Sequence, residues 1–270
     1  MKMKKSDSSM KVFWERKAGH YPLPFDRKTA ARTARIVRLL ESMGVDFHSR
    51  SLLDIGCGTG IYGLFLAGRA SRVLGVDSSQ TMLRKFRSQA EAGRLKHAVC
   101  QNATWRNFRL KPGEPRFDIA LASMSMAVRS RADILRMEKA AGEYCVYIGW
   151  AGKRDNTFME RIFTAHGLAY AAPEGGGKIV KILKRLKRKA KIKFTADSWV
   201  QRSTYKEALT GAIAHLKLNN VPVRREWLEK FIKAEVRKGH VAHKTLARKV
   251  LIVWKPPEGS KRFRDYSEGE

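Results

Sequence analysis

Three glycines at alternate positions end an apolar run in SLLDIGCGTG (51–60): Gly56, Gly58 and Gly60 follow Leu52, Leu53, Asp54 and Ile55. Glycines at this spacing let a chain turn sharply after a strand and let a ligand approach the backbone closely. Two kinds of ligand compete for the turn. Gly58, Gly60 and Gly63 also spell G-x-G-x-x-G, and Asp77 stands nineteen residues past Gly58, where a dinucleotide fingerprint places its ribose acid. The strand, however, ends at Ile55, so the tight turn starts at Gly56. The dinucleotide match starts two residues too late, with Gly63 already in the next helix.

Asp54 separates the two readings further. A carboxylate two residues ahead of the glycines repels a pyrophosphate and suits a cation. S-adenosylmethionine carries a sulfonium and an ammonium and no phosphate, and its amino-acid end needs the close backbone approach that glycines permit. Asp77 has two readings: a ribose acceptor, or a helix cap before Ser78-Ser79-Gln80-Thr81-Met82.

The elements that must position these residues follow from the hydrophobic pattern. Ala30, Ala34, Val37 and Leu40 predict a helix over 27–43, stopped by Gly44. Strands are expected at 51–55, 72–76, 96–100, 117–122 and 143–149, with helices at 60–68, 79–92, 130–141 and 156–167 between them. This alternation implies a parallel sheet with helices on both faces. After 173–178 (PEGGGK) come a basic amphipathic helix (178–189), a strand (191–200), two helices (203–217 and 223–238) and a last strand (249–254). The domain reading is an aromatic-rich arm at 1–26, one domain at 27–257 with a helical cap inserted at about 203–238, and loose polar ends at 1–10 and 258–270.

At the glycine turn the sequence resembles the class I S-adenosylmethionine-dependent methyltransferases. LLDIGCGTG resembles their first motif, VLGVDSS (73–79) the acidic end of their second strand, FDIALAS (117–123) their fourth strand and GEYCVYIGW (142–150) their fifth. The resemblance covers roughly 50–150, and 11–30 is similar to the arm of small-molecule members. It implies a Rossmann-like α/β fold, a mostly parallel seven-stranded sheet with helices on both faces and a helical insertion before the last strand. It also implies that Gly56, Cys57, Gly58 and Gly60 pass under the methionine part of S-adenosyl-L-methionine, beside Asp54. Asp77 would take the ribose hydroxyls, since an ionised carboxylate accepts two hydrogen bonds at once. Ser78 and Met82 would flank the adenine, Asn102 and Ala103 would meet its amino group, and Ser123 and Met124 would border the methyl. Met82 also reads as plain packing.

The methyl acceptor leaves less trace. In-line transfer is positioning and desolvation, with a base only where the acceptor must lose a proton. The loop after the fourth strand, SMSMAV (123–128), lacks the Asn/Asp-Pro-Pro-aromatic motif of base-gripping enzymes, and Cys57 and Cys145 read as buried small residues. Asp133 and Asp155 make no convincing metal site, and His240 and His243 read as surface. His20, Tyr21 and Ser123 are the weak candidates for catalytic groups, with Tyr21 and Trp14 expected to close a lid. A small-molecule acceptor is therefore expected. A non-catalytic binding protein is disfavoured by the intact turn.

Composition adds a separate signal. Lys and Arg number 55 against 25 acids, a net charge of +30, and 43% hydrophobic residues suffice for a large core. Such a charge attracts polyanions, and 178–193 (KIVKILKRLKRKAKIK) carries it most densely. That segment suits RNA phosphates, which makes an RNA methyltransferase the alternative reading, or an anionic membrane surface. Three dispersed cysteines, no apolar signal core and no membrane-length apolar run point to the cytoplasm.

Overall fold

The structure, a computed structural model, describes residues 12, 14, 15, 17–110, 116–170 and 175–257, without the side chains of His20 and Lys153. The expected loose ends at 1–10 and 258–270, and Phe13 of the arm, lie outside the described residues.

Among the described residues eight strands form one sheet: β1 (Ser51–Ile55), β2 (Arg72–Asp77), β3 (Ala98–Asn102), β4 (Phe117–Ser123), β5 (Ala141–Asp155), β6 (Ala190–Ser203), β7 (Val236–Arg237) and β8 (His240–Trp254). Their order is β3-β2-β1-β4-β5-β8-β6, with β7 pairing β8 off this path. The β3-β2-β1-β4-β5 neighbours are parallel, and β8 runs antiparallel between β5 and β6. The seven-stranded path is as expected. The extra strand is two residues of a tight return into β8, too short to leave a pattern in sequence.

The helices are α1 (Arg27–Glu41), α2 (Gly63–Ala67), α3 (Gln80–Ala92), α4 (Arg131–Ala140), α5 (Thr157–Ala165), α6 (Gly176–Arg185), α7 (Tyr205–Leu218) and α8 (Arg225–Ala234). β1 is buried along its whole length, as a central parallel strand covered on both faces must be. α1, α2 and α3 cover one face through Ile36, Leu40, Leu64, Leu66, Leu83 and Phe86. α4 and α6 cover the other through Ile134, Met137, Ile179 and Leu183. Ser79 caps α3, while Ser130 with Asp133 and Thr204 with Glu207 form capping boxes at α4 and α7. Asp133 is thereby a cap. Asp118 accepts from Ser51 N and Oγ, both at 2.7 Å, and ties β4 to the start of β1.

Two features depart from the expected layout. First, β5, β6 and β8 run far beyond the other strands. β5 extends to Asp155, which pairs Leu246, and β6 pairs β8 from Ala190↔Trp254 to Ser203↔Val241. The result is a three-stranded ribbon rising above the carboxyl edge of the sheet, on which α5, α7 and α8 pack through Phe158, Ile162, Leu216, Leu228, Ile232 and Val241. In β8 the residues Val241, Thr245 and Ala247 are buried and alternate with exposed Ala242, Lys244, Leu246 and Arg248. That period-2 signal is hidden by the polar residues on both sides. Second, the basic segment is not solvent-facing throughout. Ile179 and Leu183 of α6 are each 1% exposed, already buried on the sheet. Arg188 turns inward to Glu138, with Nε to Oε1 at 2.8 Å and Nη2 to Oε2 at 3.0 Å, while Trp254 Nε1 donates to the same carboxylate at 3.0 Å.

Candidate active site

The glycine turn leaves β1 at the carboxyl edge, where open α/β sheets bind ligands. Gly56 N donates to Val76 O at 2.7 Å, so the turn is pinned to the end of β2 from its first residue. Gly56 and Gly60 have φ of +70° and +87°, in the left-handed region that favours glycine. A β-carbon on Gly56 would also collide with Ser125 Oγ, and one on Gly60 with Leu64 and Phe86.

Asp77 closes this arrangement. Its Oδ2 accepts from Gly58 N at 2.9 Å and its Oδ1 from Ser79 N at 2.9 Å. Each oxygen keeps one lone pair, so two hydroxyls can still be accepted. The helix cap is Ser79, which accepts from Met82 N, and Asp77 is partly buried rather than at an exposed strand end. Burial raises its pKa, and the N–H groups of Ser79 and Gly58 act in the opposite direction. Asp54 is 2% exposed. Its Oδ2 accepts from Gly63 N at 3.0 Å, tying the turn to α2. Burial lifts its carboxyl to about 7, against the Gly63 N–H and with the help of the Asp77 charge. Asp54 is thus placed beneath the turn, not on its open side.

The other expected residues divide. The Cys57 side chain points into the core, since a β-carbon on Gly75 would lie 2.7 Å from its sulfur, so only its backbone belongs to the turn. Met82 is 2% exposed and packs under Gly58, the plain-packing reading. Ser78 and Ala103 are partly exposed, with Ala103 N donating to Asp77 O at 3.1 Å. Asn102 is exposed; its Oδ1 accepts from Gln80 Nε2 at 3.1 Å and its Nδ2 donates to Asp77 O at 3.1 Å, which leaves one lone pair on the amide oxygen. Met124 holds a left-handed φ of 51° and donates its N–H to Ile148 O at 2.7 Å. Such strain in a residue other than glycine concentrates at functional edges. Ser123 Oγ is buried without a hydrogen bond of good geometry, although the Tyr62 hydroxyl lies close enough to act on it.

The arm lies across this edge. Glu15 accepts from Gln80 N at 2.8 Å and Thr81 N at 3.2 Å at the start of α3, and Thr59 Oγ1 donates to Pro22 O at 2.7 Å. Tyr21 packs near Gly58 and meets Trp14 edge-on at 6.0 Å. Burial, then the Asp77 charge, pushes the Tyr21 hydroxyl up to about 12. The His20 side chain lies outside the description.

Residues not singled out in the sequence line the ribbon above the turn. Its register puts Trp150, Lys249 and Thr195 in one row and Arg154, Ala247 and Asp197 in the next, all on one face. Asp197 accepts from Lys249 Nζ at 2.5 Å, and Arg35 of α1 stands 3.9 Å away. Trp150 and Trp199 approach to 6.2 Å. His243, expected at the surface, is half-buried and stacks on Phe158 at 4.8 Å. Its Nδ1 accepts from Asn156 Nδ2 at 2.9 Å, and burial and then the Arg154 charge lower its pKa. These residues carry no motif, and their one signal in the sequence is the length of β5 and β8. An open groove of about 700 Å³ lies between α1 and the β6–β8 ribbon; Thr195, Asp197 and Ala247 of these rows line it with Arg32 and Arg35, and no turn residue does.

Residues 52–143 match the family model described as a methyltransferase domain. Comparison with curated proteins finds no match. Among solved structures, magnesium protoporphyrin IX methyltransferase from Synechocystis PCC 6803, with bound S-adenosylhomocysteine, is similar at a TM-score of 0.51 and 14% identity, over 92% of this chain and 95% of that one. The YcgJ protein from Bacillus subtilis is similar at 0.51 and 12% identity, over 82% of this chain and 97% of that one. At these identities the likeness is one of fold. The methyltransferase-domain match spans the glycine turn and strands β1 to β4, and the fold around it is that of Rossmann-like methyltransferases.

Proposed function

We propose that the enzyme methylates a small molecule held between the glycine turn and the ribbon. The observation that carries the cofactor half is Asp77, which fixes the N–H groups of Gly58 and Ser79 and keeps two lone pairs for ribose hydroxyls. Gly56, Gly58 and Gly60 give the backbone access for the amino-acid end, Asn102 and Ala103 the adenine edge, and Ser123 and Met124 the methyl border. Asp54 acts from beneath as a buried charge favouring a cation, a positioning role. When bound, S-adenosylmethionine supplies an electrophilic methyl on a sulfonium, which leaves as a neutral thioether. The chain's own part is to align and to exclude water. The arm roofs the edge through Glu15, Thr59 and Tyr21.

The small acceptor is supported by a 123–128 loop with no base-gripping motif and by the arm that lies against the turn and the start of α3. The solved relative from Synechocystis is named for a small-molecule acceptor, a magnesium porphyrin. The cysteines, all free, fit a cytoplasmic setting, and no helix among the described residues is long and apolar enough to cross a membrane. One observation favours an RNA acceptor instead: Lys178, Lys181, Lys184, Arg185, Lys187, Lys189, Lys191 and Lys193 are all exposed with no acid among them. The deciding experiment incubates the enzyme with methyl-labelled cofactor and a cell extract, then counts label in the small-molecule and RNA fractions. Label in RNA alone would reject the small acceptor.

A further inference from the structure

The extended part of β5 carries a half-buried guanidinium. Arg154 lies 5.1 Å from the Trp150 ring centroid and 5.5 Å from that of Tyr170. Its Nε is buried without a hydrogen-bond partner, and so is the Tyr170 hydroxyl. Among the described residues Arg154 has no ion pair. Its charge acts on Lys17 of the arm, on Tyr170 and on His243, and Tyr170 also feels the Glu160 carboxylate. Asp197 shares its row but is held by Lys249 and Arg35. Asp155 pairs Leu246, on the opposite face.

A partly desolvated cation is costly unless an anion completes it. Two orphaned donors at one place, Arg154 Nε and Tyr170 Oη, are what such an anion would bond. The surroundings add shape. Trp150 and Trp199, 6.2 Å apart and inclined by 35°, form a flat apolar wall on the same ribbon face. Trp150 also borders a small cavity with Met124 and Ser125, at the end of β4 where the methyl is placed above. We infer that the acceptor is a flat molecule bearing an anionic group, a carboxylate or a phosphate, with its charge on Arg154 and Tyr170 and its body on Trp150 and Trp199. This rests on the methyl-transfer reading for the word acceptor, whereas the anion site stands on its own geometry.

The test measures binding of benzoate, phenyl phosphate and benzyl alcohol to the full chain without cofactor, by tryptophan fluorescence and saturation-transfer NMR. At least one anion is expected to bind tenfold or more tightly than the alcohol, and comparing benzoate with phenyl phosphate tells the two anions apart. Arg154→Gln should abolish the preference, Arg154→Lys should keep part of it, and Tyr170→Phe should weaken the anion several-fold. Trp150→Ala should weaken all three probes alike. Melting temperature and S-adenosylhomocysteine calorimetry on each variant separate loss of fold from loss of site. Equal binding of alcohol and anions, no anion binding at millimolar concentration, or a preference surviving in Arg154→Gln would overturn the inference. Failure of the parent to bind cofactor would count against methyl transfer and leave the anion result standing.

Discussion

Asp54→Asn should make the cofactor-free enzyme more stable at neutral and alkaline pH while weakening its hold on a cationic ligand. The Asp54 carboxyl is 2% exposed and lifted from an ordinary 3.8 to about 7 by burial, with the Gly63 N–H opposing. The folded state therefore keeps a proton that the unfolded chain has lost, and stability falls as pH rises between these values. At about 1.36 kcal/mol per pH unit the loss totals about 4 kcal/mol, of which about 3 kcal/mol falls between pH 5 and 7. Asparagine has nearly the same shape, still accepts from Gly63 N and never ionises. Urea unfolding of parent and variant without cofactor, from pH 5 to 8.5, should show the variant gaining on the parent by roughly this amount and levelling off above about pH 8. Cofactor affinity of the parent should rise with pH toward 7, because a cation favours the ionised form, and that slope should vanish in the variant. A stability difference constant across the range would refute the reasoning, since Asp54 would then titrate like an exposed aspartate.

Asp77→Ala should weaken cofactor binding by about 1.5–3 kcal/mol and also destabilise the fold by about 1–3 kcal/mol, because the N–H groups of Gly58 and Ser79 lose their acceptor; calorimetry paired with unfolding separates the two losses. Glu138→Ala leaves Arg188 and Trp254 Nε1 without their shared buried carboxylate and should cost about 3–5 kcal/mol in denaturant unfolding, with cofactor affinity in the folded fraction unchanged. Glu15→Gln should loosen the arm from α3, read as faster proteolysis within 12–26 and a higher KM for cofactor. Lys184, Arg185 and Lys187 changed together to Gln should leave turnover of a small acceptor intact; loss of an RNA product in that variant would favour the alternative acceptor.

The parallel half of the fold was legible because its signals are local. β1 is an uninterrupted buried run, the glycines that follow carry required backbone angles, and α1 and α3 show helical spacing. The same local chemistry singles out Asp77, although its hold on Gly58 N is visible only once β1 and β2 lie side by side. The ribbon was not legible. Residues 150–155 of β5 mix glycine, charge and one tryptophan, and a register shift falls between Trp150 and Arg154. Their strand character comes from pairing with β8, nearly a hundred residues away in the chain. Arg188 shows the opposite failure: inside a run of lysines it reads as surface, and only the approach of Glu138 turns it inward.

The most direct measurement is calorimetric titration of the parent with S-adenosylhomocysteine, and separately with a nicotinamide dinucleotide, repeated on Asp77→Asn. Binding of the thioether that weakens in Asp77→Asn, with no heat from the dinucleotide, is the predicted result. Binding of the dinucleotide and none of the thioether would contradict the account.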